Sequence, residues 1–232
     1  MRVKIFADGA DRHWIERMAS DPAIAGFTTN PTLMRKAGVE NYETFAREIL
    51  EIVTDRPISF EVFSDDMVEM ERQALQIASW APNVNVKIPV TNTRGERTDV
   101  LLKRLVALGT QVNVTALFTV SQVEWVASCL ADGPPCFVSV FAGRIADAGV
   151  DPLPTMRASM DVLRDYDNQQ LIWASPREVL NIVQADSVGC DVITVTCDLL
   201  QKLPTLGKDL EQFSLETVQM FHSDARTAGY SI

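Results

Sequence analysis

One lysine lies inside a short apolar run of this sequence. Lys87 is flanked by Val86 and Ile88 and is followed by Pro89, a composition typical of a buried strand. Desolvation favours the neutral form of an amine, and the neutral amine is the form that attacks a carbonyl to give a Schiff base. A lysine that reaches solvent at a sheet end, or that pairs with a structural carboxylate, would give the same pattern, so both interpretations stay open at this point.

Asp8 and Glu61 are the acid–base candidates that accompany this lysine. Asp8 ends the first predicted strand, and Glu61 lies within the last residues of the third. Carboxylates beside a lysine can accept and return protons through water during carbonyl chemistry. A buried salt-bridge cluster would look identical in the sequence, so the residues alone leave the role of the two carboxylates undecided.

Two arginines are candidates for binding a phosphate group. Arg144 and Arg177 each follow a predicted strand end by a few residues, and each has a serine nearby, Ser139 and Ser175 respectively. A guanidinium group and a hydroxyl together suit the oxygens of a phosphate. Either arginine taken alone also fits a solvated loop residue.

Other polar residues lie at or just after the ends of predicted strands. Thr28 ends the second strand and Asn30 follows it, and Asn113 and Thr115 share one face of the fifth because side chains alternate along a strand. Polar groups inside a barrel are costly unless they are paired or functional. Their recurrence predicts a polar site at one end of the sheet.

Strand-like runs rich in Val, Ile and Phe alternate with longer amphipathic segments along the chain. The runs predict strands at residues 3–7, 25–28, 58–62, 84–88, 111–115, 136–140, 170–174 and 191–195. The segments between them predict helices at residues 65–80, 98–108, 120–130, 153–164 and 176–184. Ser64 or Asp65 is expected to cap the first of these helices, Thr119 or Ser121 the third, and Pro176 to open the last.

This alternation predicts an α/β protein with a parallel sheet, formed by residues 1–232 as a single domain. Eight short apolar strands favour closure into a (β/α) TIM barrel, whose chemistry belongs at the carboxyl ends of the strands; an open doubly wound sheet is the alternative. An extra amphipathic helix at about residues 213–228 exceeds what a barrel needs. It would cover the barrel floor or pack on a neighbouring subunit, and we expect a homo-oligomer.

The composition argues against several classes of function. The net charge is −10 and no cluster of Lys and Arg forms a basic face, which speaks against binding to nucleic acid or to an anionic membrane. The four cysteines form no CxxC pair, so we expect free thiols in a reducing, cytoplasmic compartment. Only two histidines are present, far apart, which makes a histidine metal site or a Ser-His-Asp triad improbable.

Six segments in order along the chain resemble the motifs of transaldolases. They are residues 6–11 (FADGAD), 26–33 (GFTTNPTL), 86–89 (VKIP), 112–118 (VNVTALF), 138–145 (VSVFAGRI) and 174–177 (ASPR). The resemblance therefore extends from the first strand into the last units of the barrel. The length is similar to that of the short transaldolase subgroup, which also contains fructose-6-phosphate aldolases.

The resemblance implies a role for each candidate. Lys87 would be the Schiff-base nucleophile, and Glu61 and Thr115 would hold the water that shuttles protons. Asp8 would be the general acid/base in carbon–carbon cleavage. The remaining residues implied in substrate binding are Asn30, Asn113, Thr28 and Ser139 for the dihydroxyacetone unit, and Arg144, Ser175 and Arg177 for the phosphate. The resemblance implies no metal and no cofactor. It implies sugar-phosphate substrates of carbohydrate metabolism, such as those of the pentose phosphate pathway. It also implies a homo-oligomer, which is a decamer in several small relatives.

Two positions bear on the choice between transaldolase and aldolase. By the resemblance, transaldolases carry Glu at the position of Glu61 and Phe at that of Phe141, whereas the aldolases carry Gln and Tyr. Both residues here take the transaldolase form. The expected reaction is transfer of a dihydroxyacetone unit between sugar phosphates, and the alternatives are an aldolase-like lyase or a non-catalytic sugar-phosphate-binding relative.

The sequence also departs from the family pattern near the expected mouth of the barrel. Gly9 stands where Thr or Ser is usual, Pro176 lies inside the Ser-x-Arg motif, and the run at residues 193–198 differs from the usual one. Val140 and Ala142 also replace the usual residues. These changes leave the lysine chemistry in place but put the substrate in doubt, so an enzyme of a specialised sugar pathway stays an alternative.

Overall fold

In the computed structural model, which describes residues 1–231, the strands pair in parallel in the order of the sequence and the last pairs with the first. The strands within this described part are β1 Lys4–Asp8, β2 Ile24–Thr28, β3 Ile58–Glu61, β4 Val84–Pro89, β5 Val112–Leu117, β6 Cys136–Val140, β7 Gln169–Trp173 and β8 Val192–Thr196. The closed barrel confirms the predicted TIM-barrel fold, and the open doubly wound alternative is wrong.

Helices follow the strands and surround the barrel. Those within residues 1–200, which form one compact unit, are α1 Arg12–Ala19, α2 Pro31–Lys36, α3 Tyr42–Ile52, α4 Met67–Ala78, α5 Asp99–Ala107, α6 Val120–Leu130, α7 Ala142–Asp147, α8 Pro152–Leu163, α9 Leu180–Ser187 and α10 Cys197–Leu200. A second unit, Gln201–Ile232, contains a short 3₁₀ turn at Leu203–Thr205 and helix α11, Leu210–Thr227. The extra C-terminal helix expected at residues 213–228 is therefore present, and it begins earlier because Asp209 caps it. Among the described helices, none combines the length and the apolar character needed to cross a bilayer.

The predicted helix starts were correct in one place and wrong in two. Thr119 caps α6 in a reciprocal capping box with Gln122, as one of the two alternatives predicted. Helix α4 is capped by Asp66, whose side chain accepts from the first-turn amides, and not by Ser64 or Asp65. Asp65 instead accepts two hydrogen bonds from Thr93.

Pro176 does not open a helix, because α9 begins at Leu180. The amides of Arg177 and Glu178 donate to the side-chain oxygen of Asn181, at 2.7 Å and 3.2 Å. This local arrangement satisfies the backbone without a helical turn. It leaves the segment between β7 and α9 without helical structure.

Aromatic side chains fill the barrel interior below its polar mouth. Phe6 packs edge-to-face on Phe137 with ring centroids 5.5 Å apart, within a buried cluster that includes Ile172 and Val192. Gly26 is required here, because a Cβ at that position would lie 2.6 Å from the Phe6 ring. The two rings form an apolar layer in the barrel interior, beneath the polar side chains that lie two residues further along the same faces of their strands.

Candidate active site

The residues that the sequence predicted for the site all line one cavity at the carboxyl end of the barrel. Its volume is about 570 Å³, and the lining includes Asp8, Thr28, Asn30, Glu61, Lys87, Asn113, Thr115, Ser139, Phe141, Arg144, Ser175 and Arg177. The structure thus brings together side chains from seven of the eight described strands or the segments that follow them. Thr194 of β8 completes the ring.

Lys87 lies deep in this cavity and is only 7% exposed. Parallel register places it opposite Glu61 of β3, and its Nζ lies 3.0 Å from Glu61 Oε2. Nζ also donates to the backbone oxygen of Thr29 at 2.8 Å. The carboxylate pairing that the sequence left open is therefore present, but it faces a cavity large enough for a ligand and is not sealed in the core.

Asp8 approaches the same centre from β1. It lies opposite Thr28 in the register, and Thr28 Oγ1 donates to Asp8 Oδ1 at 2.7 Å; Thr28 also shares a hydrogen bond with Thr194. Burial raises the pKa of the Asp8 carboxyl above its usual value, although the charge of Lys87 and the Thr28 hydrogen bond act against the rise. A carboxyl with a raised pKa is suited to donate a proton as well as to accept one.

A chain of hydroxyl and amide groups crosses the floor of the cavity. Ser139 Oγ donates to Asn113 Oδ1 at 2.7 Å, and Asn113 Nδ2 donates to Ser59 Oγ at 3.0 Å. This chain fixes the orientation of the Asn113 amide. By contrast, the buried Thr115 Oγ1 has no hydrogen-bond partner among residues 1–231, and a buried hydroxyl without a partner is a group that a ligand or water would satisfy.

Asn30 reaches the cavity at the end of β2. Its Oδ1 caps helix α2 by accepting from the Leu33 amide at 2.9 Å. Because the side-chain oxygen is occupied by the helix, the Asn30 amide nitrogen is the group left to donate to a bound molecule.

Two arginines lie at the rim of the cavity and have different surroundings. The Arg144 guanidinium carbon lies 5.1 Å from the centre of the Phe141 ring. Arg177 is paired with Asp147, and its Nε lies 2.9 Å and 3.0 Å from the two carboxylate oxygens. An anion at this rim would therefore meet Arg144 directly and compete with Asp147 for Arg177.

Gly143 lies where helix α7 closely approaches the segment after β7. Its amide donates to the backbone oxygen of Ala174 at 3.3 Å, and a Cβ at position 143 would lie 1.5 Å from the backbone oxygen of Ser175. Ser175 itself has a positive φ of 61°, which is costly for a residue other than glycine. This close approach of α7 to the segment after β7 brings Arg144 and Ser175 to the same cavity.

Sequence reasoning missed several residues at or near this site. Lys36 and Thr194 line the cavity, Asp147 holds Arg177, and Tyr42 binds the backbone of Glu61. Thr194 carried a detectable signal, since it is a polar residue near the end of a predicted strand. The other three lie on helices α2, α7 and α3, none of which was predicted, so their positions had no signal.

Taken together, the fold and the site define a β/α-barrel protein with a lysine paired to a carboxylate at its mouth, a second carboxylate in the same cavity and arginines at the rim. The family model described as Transaldolase/Fructose-6-phosphate aldolase matches residues 5–232. The chain belongs to this family, and it is an enzyme of the transaldolase type.

Relatives across bacteria agree with this assignment. The chain is 34% identical over 202 residues to a probable transaldolase of Dehalococcoides mccartyi, covering 87% of this chain and 90% of the relative. It is 35% identical over 215 residues to a probable transaldolase of Chelativorans sp., covering 91% and 94%. A probable transaldolase of Thermoanaerobacter sp. is 33% identical, with 99% of this chain and 100% of the relative covered.

Solved structures share the fold at low sequence identity. A structure described as native KDPGal aligns with a TM-score of 0.54 and 13% identity, covering 99% of this chain and 98% of that one. A putative phosphonomutase from Burkholderia cenocepacia aligns with a TM-score of 0.57 and 13% identity, covering 90% and 94%. At such identities these structures support the barrel fold alone.

Proposed function

We propose that this enzyme transfers a dihydroxyacetone unit from a ketose phosphate to an aldose phosphate through a Schiff base on Lys87. The observation that carries the proposal is the buried Lys87 amine, 3.0 Å from Glu61, in a cavity that Asp8 also lines. A nucleophilic amine needs a partner that removes its proton and a second group that handles the substrate hydroxyl. The two carboxylates that share the cavity with the lysine would supply these functions.

The first half-reaction would begin with attack of the neutral Lys87 amine on the ketose carbonyl. The carbinolamine loses its hydroxyl as water to give the imine, with the proton supplied through a water between Glu61 and Thr115. The Thr115 hydroxyl has no hydrogen-bond partner in the described part of the chain, which supports this arrangement, since it is available to hold such a water. The imine nitrogen is protonated and can accept the electron pair of the bond that breaks next.

Carbon–carbon cleavage would then depend on Asp8. Its carboxylate takes the proton of the C4 hydroxyl as the C3–C4 bond breaks, the aldose phosphate leaves, and the electron pair moves to C3 and the imine as an enamine. The second half-reaction reverses these steps with a different aldose, and protonated Asp8 returns the proton to the new hydroxyl. Because Asp8 must both take and give a proton, its raised pKa is favourable near neutral pH.

Substrate binding would use the polar residues around this centre. Asn30 and Asn113, with Thr28 and Ser139, would hold the hydroxyls of the dihydroxyacetone unit. The Asn113 amide is suited to this because Ser59 and Ser139 fix its orientation. At the rim, Arg144, Ser175 and Arg177 would bind the phosphate, and the guanidinium groups would overcome the net charge of −10 locally.

The choice of transfer over simple cleavage rests on two side chains. Glu61 contacts Lys87 and Phe141 lines the cavity beneath Arg144, and both have the form that the resemblance assigns to transaldolases. An aldolase-type lyase would release dihydroxyacetone without an acceptor. Incubation with fructose 6-phosphate, with and without an aldose-phosphate acceptor, separates the two: we expect substantial conversion only when the acceptor is present.

The nucleophile is tested by trapping. The enzyme is reduced with borohydride in the presence of fructose 6-phosphate, and intact and peptide masses are measured. We expect one dihydroxyacetone-sized adduct, on Lys87, which is lost in Lys87→Met and retained in Lys103→Met, where an exposed lysine is replaced. An adduct-free Lys87 across a panel of ketose phosphates would contradict the proposal.

The location and assembly of the enzyme are further proposals. We place it in the cytoplasm, because cysteines 129, 136 and 190 are buried free thiols, as is usual in a reducing compartment. We propose a homo-oligomer larger than a dimer, with a decamer as the expected size, and a single functional domain over residues 1–232. Light scattering at micromolar concentration checks the assembly, and a monomer mass would contradict it.

A further inference from the structure

The strand pairing beside Glu61 is incomplete. Strands β2 and β3 are in register only at Phe27↔Ile58 and Thr28↔Ser59, and the Thr29 amide makes the last bond of this ladder to Ser59 O, at 3.1 Å. The chain then leaves the sheet, because Pro31 begins helix α2 and has no amide hydrogen to donate. Glu61 therefore lies beyond the point where β2 ends.

The main-chain groups of Glu61 face the side that β2 has left. In a parallel sheet, alternate residues direct both their N–H and C=O to the same neighbouring strand. Val62 bonds toward β4, through its amide to Lys87 O at 3.1 Å, and Ser59 bonds toward β2. Glu61, which alternates with Val62, must find partners on the β2 side, and an unpaired buried peptide there would be costly.

The hydroxyl of Tyr42 occupies this place. It accepts a hydrogen bond from the Glu61 amide and donates one to the Glu61 carbonyl oxygen, both at 2.8 Å. One side-chain hydroxyl thus replaces the donor and the acceptor that a longer β2 would have provided. It does so at the residue whose carboxylate contacts the Lys87 amine.

The Tyr42 ring is itself held in place by aromatic neighbours. Its centroid lies 5.3 Å from that of Phe63, 5.9 Å from that of Trp80 and 6.4 Å from that of Phe60. Burial raises the pKa of the Tyr42 hydroxyl, so the hydroxyl keeps its proton and remains a donor at physiological pH. The ring does not line the cavity, which separates Tyr42 from the groups that would touch substrate.

We propose that Tyr42 is a positioning residue that acts through Glu61: its hydroxyl fixes the Glu61 peptide so that the carboxylate stays against the Lys87 amine. The inference rests on the proposed function, in which Glu61 serves formation and hydrolysis of the Schiff base. Without the hydroxyl, the end of β3 is free to move, and the carboxylate spends less time in contact with the amine. Substrate contacts from Asn113, Arg144 and Ser175 are unaffected.

The test is Tyr42→Phe, which keeps the aromatic cluster and removes only the hydroxyl. We expect kcat for transfer to fall about tenfold with KM changed less than twofold, and rapid-quench borohydride trapping to show a correspondingly slower appearance of the Lys87 adduct. Tyr166→Phe is the matched control, because Tyr166 is also half-buried but lies in the segment between α8 and β7, and it should retain the wild-type rate. If Tyr42 only stabilised the fold, Tyr42→Phe would lower Tm but would not lower kcat while leaving KM nearly unchanged.

A second arm asks whether Tyr42 works through Glu61. In the Glu61→Gln background, the added Tyr42→Phe should change kcat less than twofold, because the carboxylate that it positions is gone. An equal loss in both backgrounds, or a wild-type kcat in Tyr42→Phe alone, overturns the inference while the wild-type adduct on Lys87 stands. If wild-type enzyme gives no adduct, the proposed function and this inference both fail.

Discussion

The Lys87–Glu61 pair predicts strong energetic coupling between two side chains. The charged atoms are 3.0 Å apart and the side chains are only 9% and 19% exposed. At an effective dielectric constant of about 20, two unit charges at that distance attract by about 5.5 kcal/mol. The loss in Glu61→Gln should be smaller than this attraction, because Asp8 also attracts Lys87 and the Gln side chain keeps an oxygen that can accept a hydrogen bond. We therefore expect Glu61→Gln to lower the free energy of unfolding by about 2–3 kcal/mol at pH 7.

The Lys87 variant and the double variant complete a double-mutant cycle with Glu61→Gln. Lys87→Met leaves two carboxylates without their cation and should cost a similar 2–3 kcal/mol, roughly. Removing both charges in Lys87→Met/Glu61→Gln should bring the loss back to about 1 kcal/mol, since replacing a whole buried pair by uncharged side chains is often near neutral. The coupling energy is then about 4 kcal/mol in magnitude.

Urea unfolding at pH 7 measures the free energy of unfolding of the wild type, the two single variants and the double variant. These values are compared only where the slopes of free energy against urea concentration are equal. By calorimetry, each single variant should melt roughly 5–10 °C below wild type. The exposed pair Arg47–Glu43, 57% and 42% exposed, is the control, and its cycle should give at most about 0.5 kcal/mol. Additivity of the Lys87 and Glu61 variants to within about 0.5 kcal/mol would refute the reasoning.

Three further substitutions have directions that follow from the structure. Because burial raises the pKa of Asp8 in the folded chain, the folded state binds this proton more tightly than the unfolded state, and stability falls as pH rises through the folded pKa. Asp8→Asn should therefore be more stable than wild type at pH 8 and lose that advantage below about pH 4 in urea titrations, although its transfer activity falls. Gly143→Ala places a Cβ 1.5 Å from the Ser175 carbonyl oxygen, and calorimetry should show a loss of more than about 3 kcal/mol together with lost turnover. Asp147→Asn should change stability by less than about 1 kcal/mol, because its pair with Arg177 is half exposed, yet lower KM severalfold for phosphorylated substrates and not for unphosphorylated ones in steady-state assays.

The strands and most of the site could be predicted from the sequence because both depend on local patterns. Each predicted strand is an apolar run bounded by turn residues, and the observed ends differ from the predicted ones by two residues at most. Once a parallel barrel is assumed, the polar residues at the strand ends must meet at one mouth. Lys87 and Glu61 needed nothing more than this rule to be placed together.

The contacts that tune the site could not be predicted, because they join elements far apart in the chain. The bond from Tyr42 to Glu61 depends on where β2 stops and how α3 packs, and the pairing of Arg177 with Asp147 depends on the approach of α7 to β7. Likewise, the start of α9 is decided by the Asn181 side chain. These outcomes follow from tertiary packing, which overrides local preference.

The strand pairs of the barrel differ in the number of residues in register, and the two shortest pairings divide the barrel into two arcs. Strands β2–β3 and β7–β8 are in register over two residue pairs each, whereas the other neighbours pair over three to five. One arc, β8-β1-β2, holds Asp8, and the other, β3 to β7, holds Lys87. Regions with the fewest bonds open at the lowest free energy, so we expect the β2–β3 and β7–β8 joints to open most readily.

The bond from Lys87 Nζ to Thr29 O runs from the second arc to the chain just after β2, across the β2–β3 joint. A lysine ammonium has three hydrogens to donate, but a protonated imine has one. In the proposed cycle, capture of the sugar therefore leaves a single hydrogen for Glu61 and Thr29 to share. Formation of the covalent intermediate would therefore weaken the hydrogen bond from Lys87 to Thr29 that joins the two arcs. The substrate, which binds groups on both arcs, would connect them in its place.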